Sequence, residues 1–277
     1  MTTDTSLQNH YATQGIRERL DAALEEAGLG TGPIEWTRLV ALDQFHSRGL
    51  EASKELAGVL GAKAEDAVLD LGSGLGGPAR FLAATVGCHV TGIELTGEYV
   101  DISNYLTERV GLSDKVTFVQ GDAAKLPFED ESFDHAWTLH VSMNIEDKEG
   151  FYRGVHRVLK SGGHFAVYDF TRGDNAPVIY PTFWSPVPEL SFLASASETS
   201  DLLKAVGFTE IQIEDDTEQA LASLVRLANP PAPDPDAPRM VSLGQIIGPQ
   251  VRPMVKNVIQ NFQEGRIRVL RAIVRKG

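Results

Sequence analysis

The chain has 277 residues, 42% of them hydrophobic, enough for a sizeable core in one or two domains. Its formal net charge of −13 repels nucleic acid phosphates, and no Lys/Arg cluster outside Arg266–Arg271 offsets it, so DNA and RNA are poor candidates for a substrate. One cysteine, Cys88, precludes an internal disulfide; the start Met1–Ser6 is polar without a secretory apolar segment, and no apolar run approaches a membrane span, so a cytoplasmic protein is expected.

Residues 1–65 are expected to form an N-terminal helical cap. Ile16, Leu20, Ala23, Leu24 and Ala27 recur at helical spacing, and Arg48–Leu60 is a second amphipathic stretch. Both are predicted to pack on the open carboxyl edge of a sheet, where ligands of such folds bind. Between them lies Leu42-Asp-Gln-Phe-His-Ser-Arg-Gly49.

From Asp66 to about Asp215, short apolar runs alternate with helical patterns, which predicts an α/β, Rossmann-like parallel sheet with helices on both faces. Ala67-Val-Leu69 is the first strand, followed by Asp70-Leu-Gly72-Ser73-Gly74-Leu-Gly76-Gly77 and a helix near Pro78–Gly87. Glycines at alternate positions admit a ligand close to the backbone and allow φ > 0 at the strand-to-helix turn. Their spacing also satisfies a dinucleotide fingerprint, but Asp70 would repel a pyrophosphate and suits a cationic ligand. His89–Ile93 is the second strand, ending at Glu94 with Leu95 behind it, placed for the two ribose hydroxyls of an adenosine. A helix over Gly97–Val110 leads to a third strand, Lys115–Val119, and then Gly121-Asp122-Ala123. Phe133–Leu139 is the fourth strand, with His140 and Met143 just beyond it, and Lys148–Leu159 a further helix.

A fifth strand ending near Tyr168 and Asp169 is followed by a loop with Tyr180 and Pro181-Thr-Phe-Trp-Ser-Pro186, then a helix over Ser197–Ala205 and a sixth strand over Glu210–Glu214. The seventh strand is Ile267–Arg275, whose alternation of charge with Ile267, Val269 and Ile273 reads as half-solvated. About fifty residues separate the last two strands. Glu218–Leu227 is helical, Asn229–Pro238 is rich in proline, and Met240–Gln263 is helical again, so residues 217–265 are expected to be a helical insertion serving as a lid or an oligomer contact, such as a homodimer interface.

The ordered signals Asp-x-Gly-x-Gly-x-Gly at 70–76, Glu94, Asp122, Leu126-Pro-Phe-Glu-Asp-Glu-Ser-Phe-Asp134 and Val158-Leu-Lys-Ser-Gly-Gly163 resemble the class I S-adenosylmethionine (SAM) methyltransferases, with Ser161 replacing the usual proline. The segment 42–49 resembles the pre-sheet segment of the sarcosine/dimethylglycine N-methyltransferases and, more loosely, the quinone C-methyltransferases. The resemblance implies a seven-stranded, mostly parallel sheet within residues 66–277, whose last strand is antiparallel. SAM is the implied cofactor, held by Asp70, Gly72, Ser73, Gly74, Gly76, Gly77, Glu94, Leu95, Asp122, Ala123, Leu139 and Gln44, with no metal.

The implied activity is methyl transfer to a small molecule, with an amine as the expected acceptor and a carbon or oxygen of a quinone or phenol as the alternative. An NAD-dependent oxidoreductase and a non-catalytic SAM-binding protein are the rival classes. Where an acceptor must lose a proton, His140 and His46 are the candidate bases, each of which would otherwise bond a backbone carbonyl or shape the pocket. Tyr11, Phe45, Tyr168, Tyr180, Phe183 and Trp184 are candidates for an aromatic acceptor cage, with His46, His140 and Met143 beside them. Trp184 is expected over the site and not in the core, and Asp169 and Arg172 to pair with a charged acceptor or with each other.

Overall fold

The computed structural model describes residues 15–230, 239–247 and 251–277. Tyr11 and most of the proline-rich break lie outside them. Seven strands form one sheet in the order β3-β2-β1-β4-β5-β7-β6. They are β1 (Ala67–Leu71), β2 (His89–Glu94), β3 (Val116–Gln120), β4 (Phe133–Leu139), β5 (Leu159–Arg172), β6 (Phe208–Asp215) and β7 (Ile267–Lys276). β1 pairs in parallel with both β2 and β4, and β7 lies between β5 and β6, antiparallel to each. Val68 to Leu71 are all buried, as a strand covered on both faces requires. Because β1 is flanked by β2 on one side and β4 on the other, the chain leaves it in opposite directions, and a crevice opens beyond the carboxyl ends of β1 and β4.

The helices are α1 (Ile16–Glu26), α2 (Val40–Asp43), α3 (Leu50–Leu60), α4 (Gly77–Val86), α5 (Gly97–Arg109), α6 (Lys148–Val158), α7 (Ala196–Ala205), α8 (Thr217–Ala228), α9 (Leu243–Ile247) and α10 (Val251–Gln263). Ala52, Leu56 and Leu60 of α3 share a core with Val68, Leu82, Ala166 and Tyr168. On the other face, Phe151, Tyr152 and Val155 of α6 and Leu203 of α7 pack with Leu69, Phe165 and Val167. The sequence expectation for α3 is thus corrected: it covers the sheet face and does not sit on the carboxyl edge. Its apolar stripe is long enough to serve as one of the sheet's own helices, and only the short segment before it reaches the edge. α1 does pack above the glycine loop, where Ile16, Leu20 and Leu24 join Leu75, Tyr99, Leu106, Val241 and Ile246.

Two boundaries moved for local reasons. α7 begins at Ala196 because Ser195 accepts from the Glu198 N–H while the Glu198 carboxylate takes the Ser195 N–H, a reciprocal cap. β6 begins at Phe208, ahead of the predicted Glu210, because Glu210 adopts φ +49 at a register shift that hides the alternation. Arginines of β7 pair in place: Arg268 meets Asp174 and Asp215, and Arg271 meets Glu55 and Glu214. No helix among the described residues is long and apolar enough to cross a membrane.

Candidate active site

A cavity of about 1750 Å³ opens at the crevice between β1 and β4. One drug-sized ligand fills roughly 300–1,000 Å³, so there is room for two molecules side by side. Its inner half is lined by Asp70, Gly72, Ser73, Gly74, Glu94, Leu95, Asp122, Ala123 and Leu139. Its outer half carries Phe170, Phe183 and Trp184 and a wall from the insertion that sets Leu224 and Leu227 of α8 and Val255 and Ile259 of α10 beside the charged and polar Arg252, Lys256 and Gln260.

The glycine loop decides what the inner half accepts. The N–H groups of Gly72 and Ser73 both donate to the Ile93 carbonyl, at 2.9 and 3.1 Å, and that of Gly76 to the Ser73 carbonyl. The Gly74 N–H donates to Glu94 Oε2 at 3.0 Å, and the other carboxylate oxygen accepts from the Thr96 N–H at 2.9 Å. These loop amides are therefore spent within the protein, and two carboxylates face the same corner. A pyrophosphate would meet negative charge and few free donors, whereas a ligand bearing a sulfonium and an ammonium would be stabilised. Burial, with a smaller push from the charge on Glu94, raises the Asp70 carboxyl to about 7, and burial likewise raises that of Glu94. Asp70 Oδ2, Ser73 Oγ and Gln44 Nε2 are buried without partners along this wall, which fits a polar ligand that supplies them.

The glycines divide into two kinds. Gly74 has φ +54 and open space where a Cβ would stand, so its bare backbone faces the cavity. At Gly76 a Cβ would strike Phe118 and Arg80, and at Gly77 the Asp43 carbonyl, and neither lines the cavity. Their assignment as cofactor contacts is corrected: Gly76 makes room for Phe118 of β3 and for Arg80, and Gly77 lets α4 approach Asp43, which the buried Arg80–Asp43 ion pair at 2.8 Å then fastens. Asp122 Oδ1 accepts from the Ala124 N–H at 2.8 Å, and its side chain keeps 30% exposure at the cavity edge.

His140 stands at the end of β4 with φ +57, an uncommon conformation for a residue with a Cβ, held by its N–H bond to the Tyr168 carbonyl at 2.7 Å. Its ring stacks on Phe170 at 4.1 Å, its Nε2 lies 2.9 Å from Ser47 Oγ, and its Nδ1 is 3.8 Å from Asp169 Oδ1. Asp169 is buried and accepts from the Ser142 and Phe170 N–H groups. Lys148, whose ammonium burial lowers to about 8, donates to the Ser142 and Ile145 carbonyls and so shapes the turn carrying Met143, which lines the cavity.

His46 also lines the cavity, with Nε2 2.9 Å from the Gly49 carbonyl, but burial and the neighbouring His140 depress its pKa to about 3. Such an imidazole is neutral near pH 7 and a feeble base, so His46 is corrected from base to a neutral wall residue. Gln44 is oriented by Ser53, whose hydroxyl donates to Gln44 Oε1 at 2.6 Å, leaving the amide nitrogen for a ligand.

Three aromatic expectations are revised. Tyr168 is buried, spends its hydroxyl on Asp216 at 2.6 Å and does not line the cavity. Tyr180 does not line it either. Trp184 belongs to the core, stacked on Phe170 at 4.6 Å with its indole N–H on Ser191, and only an edge borders the cavity. Arg172 pairs with Glu198, not with Asp169. The insertion was expected as a lid or an oligomer contact without naming its lining residues, and Ser47 was missed. The stripe Val251, Val255, Val258, Ile259 and Phe262 was visible as helical periodicity, but nothing local marks Ser47, whose partner is 93 residues away.

Residues 69–167 match the family described as a methyltransferase domain. Together with the sheet order and the carboxylate-lined glycine loop, this defines a class I SAM-dependent methyltransferase domain, and SAM is its cofactor. The chain is 43% identical over 119 residues to the sterol 24-C-methyltransferase ERG6B of Gibberella zeae, covering 43% of this chain and 31% of that protein. To the sterol 24-C-methyltransferase of Kluyveromyces lactis it is 30% identical over 197 residues, covering 69% and 53%. The chain thus spans from about a third to about half of the length of these curated relatives. The geranyl diphosphate C-methyltransferase from Streptomyces coelicolor superposes with a TM-score of 0.72 over 100% of this chain and 98% of that one, at 16% identity, a likeness of fold.

Glu94 offers a direct check of the inner half. Glu94→Ala should weaken SAM by at least about tenfold, since each charge-assisted hydrogen bond contributes about 1.5–3 kcal/mol before water compensates. Calorimetric titration with SAM measures this, and unchanged affinity would remove Glu94 from the site.

Proposed function

We propose that this protein methylates a carbon atom of a bulky, mostly apolar alkene of the sterol or terpenoid kind. The observation that carries the reading is the outer half of the cavity, whose wall of Leu224, Leu227, Val255 and Ile259 would bury an apolar body beside the inner, polar half. The C-methyltransferases among its relatives support it. The amine acceptor expected from the sequence is less well supported, because Tyr168 and Tyr180 do not line the cavity and leave the proposed cage incomplete.

SAM, when bound, supplies a methyl carbon already activated on a sulfonium. Asp70, Ser73, Gly74, Glu94, Leu95, Asp122, Ala123 and Leu139 would hold it, with the Gln44 amide free for its polar end. The protein must then orient the acceptor, exclude water and remove a proton. Phe183, only half-buried at the cavity, offers aromatic surface that favours positive charge developing on an alkene, while Phe170 and Trp184 stack behind it. His140 is the base that takes the proton lost once the methyl group has added to the alkene and left a cation. The described helices of the insertion act as a lid: α8 packs against α10, α9 packs against α1, and all three contribute residues to the cavity lining.

Incubation with methyl-labelled SAM and separate pools of sterol and terpenoid alkenes, phenols and amines, followed by mass spectrometry, tests the reading. Label should appear on carbon in the alkene pool. Label confined to nitrogen or oxygen in the other pools would overturn it.

A further inference from the structure

We propose that Ser47 is a catalytic residue that meets the acceptor's proton first and relays it to His140, with Asp169 holding the charge that results. The proposal rests on the reading of His140 as the base for carbon methylation in this cavity.

His140 is enclosed on most sides. One ring face is covered by Phe170, with Tyr168 at 5.2 Å and His46 at 6.5 Å between ring centroids. Nδ1 is buried without a hydrogen-bond partner and points toward Asp169 Oδ1, which an acceptor cannot reach. Nε2 is the remaining basic position, and it is occupied by the Ser47 hydroxyl at 2.9 Å. Both Ser47 and His140 line the cavity.

The neighbouring charges set the tautomer. Asp169 lies beside Nδ1 and favours the proton there, which leaves the Nε2 lone pair to accept from Ser47 O–H. The other titratable groups facing the ring are His46, which burial keeps neutral, and Tyr168, whose hydroxyl is engaged by Asp216. The Ser47 oxygen then turns lone pairs toward the cavity. When the methylated acceptor loses its proton, the C–H bond breaks and its electron pair closes the carbon–carbon double bond. The proton passes to Ser47 Oγ while Ser47's own proton passes to His140 Nε2. No oxidant or reductant enters, and the imidazolium is released to solvent equilibrium when product leaves.

The segment carrying Ser47 is built to hold it still. Gln44 is fixed by Ser53, His46 by the Gly49 carbonyl, and Arg48, at φ +64, by an ion pair with buried Asp216 at 2.8 Å and by a second with Glu55. Asp216 immediately precedes α8, so the relay and the lid share an anchor.

The test uses the full chain with Ser47→Ala and Ser47→Thr. Ser47→Ala should lower kcat for carbon methylation by about a hundredfold, at the low end of general acid–base effects, with SAM affinity and acceptor KM within a few fold. Ser47→Thr, which keeps the hydroxyl, should recover most of the rate. Independently of turnover, 15N spectra of the histidine ring nitrogens in the unloaded protein, assigned through loss of the His140 signal in His140→Asn, should show the Nδ1–H tautomer and an Nε2 resonance that moves in Ser47→Ala. An Nε2–H tautomer, or an unchanged kcat in Ser47→Ala, overturns the relay. A wild-type protein that methylates only amines removes the carbon-methylation reading instead, and the tautomer spectrum still decides the Ser47–His140 pair.

Discussion

Gly74→Val should leave a folded protein that no longer binds SAM. The residue has φ +54, and a branched side chain there costs about 1–2 kcal/mol in backbone strain, well within a domain stability of about 5–15 kcal/mol. Nothing in the protein stands within 4 Å of where the Cβ would go, so the strain is not compounded by a clash. That open space is the cavity, and the valine methyl groups would fill it beside Glu94 and the Gly74 N–H. The expected loss is more than about a hundredfold in SAM affinity, or about 3 kcal/mol, by calorimetry, with far-UV circular dichroism near wild type. Gly77→Ala should behave oppositely, losing stability before affinity, because its Cβ would meet the Asp43 carbonyl. Normal SAM binding by Gly74→Val would mean that this loop does not face the ligand.

His140→Asn should lower the rate of methyl transfer by about 10²–10⁴-fold while SAM binds as before. Asparagine tolerates the left-handed backbone that His140 adopts, so the turn after β4 and its bond to the Tyr168 carbonyl can persist while the imidazole is lost. Single-turnover kinetics with SAM bound beforehand separate the chemical step from binding. A rate within a few fold of wild type would show that the proton leaves by another route and that His140 only lines the pocket.

The fold and the surroundings of the glycine loop were legible because their signals are local. Val68 to Leu71 form an unbroken apolar or strand-end run, Gly72 and Gly74 sit at the turn, and Glu94 ends the next strand, so each residue's place follows from the element that carries it. Phe133–Leu139 has the same bounds in sequence and structure for this reason. Helices were legible from their stripes to within a residue or two, except over Met240–Gln263, where the described helices are Leu243–Ile247 and Val251–Gln263.

The acceptor half was legible only in part, because it is assembled from segments far apart in the chain. His140 could be placed at the end of β4, but not beside Ser47, which reaches it through a loop pinned by Arg48 to Asp216, 168 residues away. The glycines at 72–77 look alike in sequence, and only packing against Phe118 and Asp43 separates Gly76 and Gly77 from Gly72 and Gly74, which line the cavity. Tyr168 and Trp184 are aromatic residues near the carboxyl edge in either description, yet burial of an apolar ring against Phe170, or of a hydroxyl against Asp216, decides that they face inward. The sequence by itself determined the sheet, the cofactor loop and the chemical class, since these follow from periodicity and from residues a few positions apart. Tertiary structure alone decided which side chains line the outer cavity, because long-range contacts depend on how helices and loops pack over the sheet, and no local pattern encodes them.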